Sequence, residues 1–367
     1  MRVMVLGGAG DMGSEAVRDL VAGPDVAAVT IADLNTDAAE RLASEVGGSK
    51  TEVRAIDATS HTELVAAMRG HDVIAGALGP FYRFERPIVE AALEADVDYV
   101  SICDDHDAVS AVLELDQAAR QRGRRILSGI GWTPGLSNML ARKGYDSLDE
   151  VDSIRIYWAG SAGDTSGFAV VLHTLHIFGG MVVSYLDGRP AEVRAGSEPE
   201  TVEFPEPLGP VRTFHLGHPE PVTIPANLGR PNEVVLKGGL VENYLNTLSR
   251  IVGALGLTAT PKRKHVLGKI MKTLMPLFPV RKERTFSGIR VDIRGRDGGE
   301  PVHISYAAVD RMRRLTGIPL SIGAQMMGRG EIAATGVFGP EAEGAVAPES
   351  FLHQLAARGI EVNETRR

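Results

Sequence analysis

Two short runs of this 367-residue chain hold residue types that could do chemistry together. In Ser101–Ile102–Cys103–Asp104–Asp105–His106, two carboxylates, an imidazole and the lone thiol of the chain stand side by side. Histidine titrates near neutral pH and a neighbouring carboxylate tunes it, so His106, with Asp105 and Asp104, is a candidate for moving a proton at a reacting nitrogen. The plainer alternative is that Asp105 or Asp107 caps a following helix while His106 is solvated. Cys103 reads more simply as a small buried hydrophobe than as a nucleophile.

The second run, Gly8–Ala9–Gly10–Asp11–Met12–Gly13, has the spacing G-x-G-x-x-G. Gly8 would permit a tight turn, Gly10 would let backbone approach a diphosphate, and Gly13 would let a helix pack close on a strand. The N–H groups of Asp11 and Met12 would then face phosphate at a helix N-terminus, where negative charge is favoured. Asp33 follows Gly13 by twenty residues. A carboxylate there can accept from both ribose hydroxyls and would repel a 2′-phosphate. Leu34 and Asn35 offer no cation for such a phosphate, so NAD is expected, with NADP as the alternative.

These residues need elements to hold them. Arg2–Leu6 reads as a buried strand, and Ser14–Val21 carries Ala16, Val17, Leu20 and Val21 on one helical face. Val26–Ala32, Val53–Ile56, Val73–Leu78, Val97–Ile102 and Arg125–Ser128 read as further strands. Helices are expected over Thr36–Val46, from the capping box Ser60–Glu63 to Gly70, from Pro87 in a first turn to Ala95, and over Ala108–Arg122. Six nearly continuous apolar strands alternating with helices imply a parallel sheet buried on both faces, a doubly wound Rossmann arrangement. Ligands of such sheets lie beyond the strands' carboxyl ends. That draws in Asp57, as an adenine contact or a helix cap, and the run Ala77–Tyr82. There Leu78 and Gly79 could line a nicotinamide ribose and Tyr82 the substrate, unless the run is a plain turn.

From about Trp132 the pattern changes. Ser137–Lys143 looks helical and Ser153–Tyr157 extended, with hairpin signals at Asp187–Gly188 and Asp297–Gly299. The Pro/Gly-rich stretch Phe204–Pro231 suits loops and short strands, and Ile318–Arg329 is again helical in pattern. The expectation is an α/β protein: a Rossmann domain over 1–133, a second α/β domain with a mixed or antiparallel sheet for substrate and dimerisation over 134–317, and a helical C-terminal segment over 318–367 packing back on the first.

His173 and His176 are three apart on a predicted helix and share a face, as pocket wall or as two metal ligands. No further ligand motif accompanies them, so no metal is expected. Lys262–Arg284 is basic at both ends with apolar residues between. It fits a flap or subunit contact better than a membrane-surface helix, though the latter stays open. The 47 Asp and Glu against 39 Lys and Arg argue against nucleic acid as partner. One cysteine, no long apolar run and no signal-peptide pattern suit a cytoplasmic chain.

Taken together, MRVMVLGGAGDMG, IADLN, AIDAT, VIAGALGPFY, GIGWTPGLSNMLA and TGIPLSIGAQMMGRGEI with GVFGPE resemble the saccharopine dehydrogenase-like (saccharopine reductase) family over nearly the whole chain. That family includes lysine epsilon-dehydrogenase and carboxynorspermidine dehydrogenase. The resemblance implies NAD(P)-dependent oxidoreduction at a carbon–nitrogen bond of an amino-acid-derived amine or imine, in a homodimer. It also implies that Gly8, Gly10, Asp11, Met12, Gly13, Asp33, Asp57 and Leu78 surround the cofactor, and that Asp104, Asp105, His106, Trp132 and Pro134 face the reacting centre. Two rivals remain: an enoyl-type carbon–carbon reductase near a membrane, motivated by Lys262–Arg284, and a non-catalytic NAD(P) sensor.

Overall fold

The computed structural model describes residues 1–47, 49–164, 167–275, 280 and 282–367. Its elements run β1 (Arg2–Leu6), α1 (Asp11–Ala22), β2 (Ala28–Asp33), α2 (Thr36–Glu45), β3 (Thr51–Ala55), α3 (His61–Met68), β4 (Val73–Gly76), α4 (Phe81–Ala95), β5 (Asp98–Ser101), α5 (His106–Leu113), α6 (Asp116–Gln121), β6 (Arg125–Ser128) and α7 (Leu136–Tyr145). There follow β7 (Glu150–Gly160), α8 (Phe168–Ile177), β8 (Met181–Leu186), β9 (Arg189–Arg194), β10 (Glu200–Phe204), β11 (Gly209–His215), α9 (Glu220–Asn227), β12 (Glu233–Leu240), α10 (Asn243–Ala254), α11 (Pro261–Leu274), β13 (Ser287–Asp297) and β14 (Glu300–Asp310). The chain closes with α12 (Met312–Gly328), β15 (Gly336–Phe338), α13 (Pro348–Ala357) and β16 (Asn363–Arg366).

Two compact units form. The first comprises residues 1–139 and 313–358, the second 140–312 and 359–367. Among the described residues the first unit has seven strands in the order β3-β2-β1-β4-β5-β6-β15, every neighbouring pair parallel. The strand order reverses between β1 and β4, which opens the crevice that ligands of such sheets use. The apolar runs explain the sheet: Val3 to Leu6, Val73 to Ala75, and Tyr99 with Val100 are fully buried. Each such Val, Leu, Ile or Met side chain contributes roughly 1.5–3 kcal/mol relative to exposure. Ala16, Val17 and Leu20 form the buried stripe of α1, as their spacing predicts. Half of the box at Ser60 forms: its hydroxyl accepts from the Glu63 N–H, while the Ser60 N–H donates to the Asp57 oxygen instead of to the Glu63 carboxylate.

Several boundaries differ from the expectation. Pro87 lies inside α4, which begins at Phe81. The cap that allows this early start comes from Asp105, remote in sequence, whose carboxylate accepts from the Tyr82 N–H at 2.9 Å. The single helix expected before Gly123 is two, α5 and α6. A seventh strand, β15, joins β6 from the far end of the chain, so the segment after residue 318 is not purely helical. Its last stretch, β16, pairs with β14 in the second unit.

The C-terminal return is secured chemically. Asp19 of α1 accepts from Ser321 Oγ at 2.6 Å and from Arg358 Nε at 2.7 Å. Gly317 permits the approach, since a Cβ there would lie 2.5 Å from the Met12 carbonyl oxygen.

The second unit holds a mixed sheet in the order β10-β11-β12-β7-β13-β14-β16, with β8 also on β12 and β9 on β8. Only β12 and β7 run parallel among its described pairs. Both hairpins flagged by Gly occur: β8–β9 turns at Asp187–Gly188, and β13–β14 at Gly298–Gly299. The Phe204–Pro231 stretch contains a helix, α9, that its prolines had disguised.

Candidate active site

The glycine turn joins β1 to α1 at the switch point. Gly7, not Gly8, carries the left-handed conformation, with φ of 74°. A Cβ on Gly7 would lie 2.8 Å from the Ala77 carbonyl oxygen, so the turn abuts the carboxyl end of β4. Gly8 is close-packed instead, with Ile31 Cγ2 and the Val5 oxygen 3.0 Å from where its Cβ would be. At Gly13 a Cβ would fall 2.2 Å from the Gly7 oxygen and 2.9 Å from the Gly8 Cα, so α1 can approach the turn only without a side chain there. Gly10 is the N-cap of α1 and has no side chain to cap it. The N-terminus of α1, where negative charge is favoured, therefore opens directly at the turn. Gly10 and Asp11 are exposed, so the cradle is open.

Asp33 ends β2 beside this turn. Its Oδ2 accepts from the Ala9 N–H at 3.0 Å and its Oδ1 from the Asn35 N–H at 2.9 Å. One carboxylate thus ties the glycine turn to the start of α2, whose cap is Asn35. Each oxygen keeps a second lone pair for a ribose hydroxyl. Asp57 stands beyond β3, on the outer edge of the sheet. Its carboxylate is exposed and accepts from the Thr59 hydroxyl and N–H, which hold it below the usual carboxylate range. It shapes a turn, while Ser60 caps α3.

The carboxyl ends of β4, β5 and β6 bring the other predicted residues of the first unit together. Leu78 and Gly79 lead from β4 into α4, with Tyr82 in its first turn. His106 is the first residue of α5. Asp105 is fully buried, and through Tyr82 it ties α4 to the β5–α5 connection. Burial, then the Asp105 charge, raises the Tyr82 hydroxyl. Asp104 precedes it, half-buried, and Cys103 is fully buried, its thiol pushed well up by burial. That suits a packing role rather than a nucleophile. Trp132 and Pro134 lie in the loop after β6. The Gly129 and Ile130 N–H groups donate to the Ser101 oxygen, and Gly131 N–H donates to the Pro134 oxygen at 2.8 Å. At Gly129 a Cβ would lie 2.7 Å from Pro134 Cγ and 3.3 Å from the Cys103 oxygen.

Two features escape the sequence. Glu85 of α4 is fully buried and accepts from Tyr99 OH at 2.9 Å, Ser101 Oγ at 2.5 Å and Ser128 Oγ at 3.3 Å. Burial pushes its carboxyl up to about 7 although these hydroxyls favour the charged form. Asn138 of α7 accepts from the Gly135 N–H and donates to buried Glu341 at 2.8 Å. The motifs GIGWTPGLSNM and GVFGPE thereby meet in one buried contact.

In the second unit His173 and His176 lie on α8 but meet different neighbours. The His173 ring stands edge-on to His218, with centroids 5.4 Å apart. His218 also lies 5.9 Å from Trp158 and has Glu220 Oε2 3.8 Å from its Nδ1, with both side chains buried. His176 Nδ1 accepts from Lys264 of α11. His218, Glu220 and Trp158 were not singled out by sequence. The signal for His218 and Glu220 is the polar pair in HPEP among prolines. In Lys262–Arg284, residues 276–279 and 281 lie outside the described residues, and the rest includes α11.

A glycine cradle at the switch point of a parallel sheet, with a carboxylate at the end of β2, marks an NAD(P)-dependent oxidoreductase. Comparisons with known proteins agree. Residues 3–127 match the family model "Saccharopine dehydrogenase NADP binding domain". A carboxyaminopropylagmatine dehydrogenase of Synechocystis sp. is 22% identical over 395 residues, spanning 99% of this chain and 97% of that protein. The apo saccharopine dehydrogenase (L-Glu forming) of Saccharomyces cerevisiae superposes with a TM-score of 0.72 at 16% identity, covering 100% of this chain and 99% of that one, which shows a shared fold. The first unit is thus similar over residues 3–127 to a saccharopine dehydrogenase NADP-binding domain, and the chain as a whole is similar to a dehydrogenase of equal extent. Among the described residues no helix is long and apolar enough to cross a membrane.

Proposed function

We propose that this protein transfers hydride at a carbon–nitrogen bond of an amino-acid-derived amine or imine, using NAD in preference to NADP. The observation that carries the reading is the cradle itself: Gly13 admits α1 against Gly7, and Asp33 is held beside the turn by two backbone N–H groups. The cofactor supplies the hydride chemistry, while the chain binds, orients and handles protons. The turn Gly8–Gly13 and the α1 N-terminus would hold the diphosphate, Asp33 the adenosine ribose, and Leu78 and Gly79 the nicotinamide side. A negative carboxylate at Asp33 disfavours the 2′-phosphate of NADP.

His106 is the group we assign to the substrate nitrogen's proton, at the start of α5 beside Asp104. Asp105 is a positioning residue, because its carboxylate fixes the first turn of α4. Trp132 and Pro134 line the same strand ends. His173, with His218 and Glu220, is the set we assign to substrate recognition in the second unit, and His176 supports it from the same helix. The relative from Synechocystis is named for a carboxyaminopropylagmatine substrate, which supports a secondary amine formed from two amine-bearing parts. A cytoplasmic homodimer completes the reading.

The test is NADH oxidation with a panel of carbonyl compounds and primary amines that form imines, alongside an enoyl panel. Turnover is expected only where carbonyl and amine are supplied together. His106→Ala should cut that turnover sharply and leave NADH affinity within about twofold, since binding and chemistry are separable. Turnover on enoyl compounds alone, or none on any panel, would refute the reading.

A further inference from the structure

One segment departs from the charge balance of the rest. From Asn243 to Met275 the chain has no Asp or Glu and six Lys or Arg, while the whole chain carries −8. Everything outside the segment therefore carries −14 against its +6. The segment folds as α10, α11 and their connection, in the second unit.

Its exposed side is apolar. Of the eleven large hydrophobic residues that stand out into solvent among the described residues, eight lie between 244 and 274. Leu248, Ile251 and Leu255 recur along α10 and its end, and Val266, Ile270 and Leu274 along α11, at spacings that place each set on one helical stripe. All six are between 37 and 68% exposed. The opposite side of α11 is fixed inward: Lys264 is buried against His176, and at Gly268 a Cβ would lie 2.8 Å from Leu172 Cδ2 of α8. Lys262, Arg263 and Lys269 remain exposed and border the stripe, whereas Lys272 follows the line of Lys264 and Gly268, with its Nζ 5.7 Å from the Phe168 ring centroid.

We propose that α10 and α11 form an interfacial docking surface for an anionic lipid bilayer. Phosphate headgroups would meet the lysines and the acyl boundary would take the apolar stripes. The charge distribution favours this occupant over a second copy. A two-fold contact through this face would set like cations against each other, and the segment has no carboxylate to answer them. An anionic surface instead attracts this face and repels the remaining −14, which orients the approach. The proposal is independent of the substrate reading, since neither stripe belongs to the residues assigned to it.

The experiment is cosedimentation of the full chain with vesicles of phosphatidylcholine alone and of equimolar phosphatidylcholine and phosphatidylglycerol. The chain is expected to pellet only with the mixed vesicles. Lys262→Ala with Lys269→Ala should weaken partitioning about 25-fold, at about fivefold per cation. Val266→Ser with Ile270→Ser and Leu274→Ser should abolish it while thermal stability and NADH binding stay unchanged, because the three sites are exposed. Failure to pellet with the mixed vesicles, or equal pelleting with both kinds, would overturn the proposal. A triple variant that lowers the particle mass in light scattering would overturn it too, assigning the face to a second copy.

Discussion

Gly13→Ala is the substitution that bears most directly on the dinucleotide cradle. Its Cβ would stand 2.2 Å from the Gly7 carbonyl oxygen and 2.9 Å from the Gly8 Cα, both backbone atoms that cannot rotate away. Ordinary carbon–oxygen contact begins above about 3 Å, so the start of α1 must retreat by about 1 Å. Overpacking of this kind costs about 1–3 kcal/mol. Part of that is offset by about 1 kcal/mol of better helix propensity. Global stability should therefore fall by no more than about 2 kcal/mol. Binding suffers more. The N–H groups of Asp11 and Met12 move with the helix, and charge-assisted hydrogen bonds contribute about 1.5–3 kcal/mol each. Loss of both amounts to about 3 kcal/mol or more, so NADH affinity should drop at least about 100-fold. Titration calorimetry of the variant, with circular dichroism to confirm folding, measures both quantities. A folded variant that binds NADH within threefold of the parent would show that the diphosphate lies elsewhere.

Three further outcomes follow from particular contacts. Asp33→Ser removes the charge that disfavours a 2′-phosphate, so the NADH-to-NADPH preference should shift toward NADPH by about tenfold or more, read by comparing the two dissociation constants. Glu85 binds a proton in the folded chain up to about pH 7, whereas its ordinary value is 4.5. The folded state therefore holds more protons over that window, and stability should fall by about 3 kcal/mol as pH rises from 4.5 to 7 through this group. Glu85→Gln should flatten that part of the pH profile of thermal unfolding, and an unchanged slope would assign it to other groups. Asn138→Ala takes a donor from buried Glu341 and should cost about 1–3 kcal/mol in urea unfolding, with NADH affinity unaffected.

Local pattern carried much of the first unit. β1 and β6 fall on the residues their apolar runs predicted, and Ser60 caps α3 through the Glu63 N–H, because those signals act within a few residues. The start of α4 was not legible, since its cap is a carboxylate more than twenty residues downstream. Gly7 was passed over because G-x-G-x-x-G begins one residue later, and only the approach of Ala77 reveals why position 7 must be left-handed. Glu85 looks like any helix-surface glutamate. Its burial depends on three hydroxyls from two other strands. The cluster of His173 with His218 is likewise a product of topology, since α8 and the approach to α9 are separated by four strands in the chain.

The bonds from Asp19 to Ser321 and Arg358 bear on the order in which the protein can be made. The nucleotide-binding unit draws its strands and helices from both ends of the polypeptide. During synthesis its first 139 residues leave the ribosome with β6 unpaired on one side and with α1 uncovered. They must wait through the whole of the second unit for α12 and β15. The later domain can therefore be completed, save its closing strand, before the earlier one. A fragment ending near residue 139 should be aggregation-prone rather than a freestanding nucleotide binder.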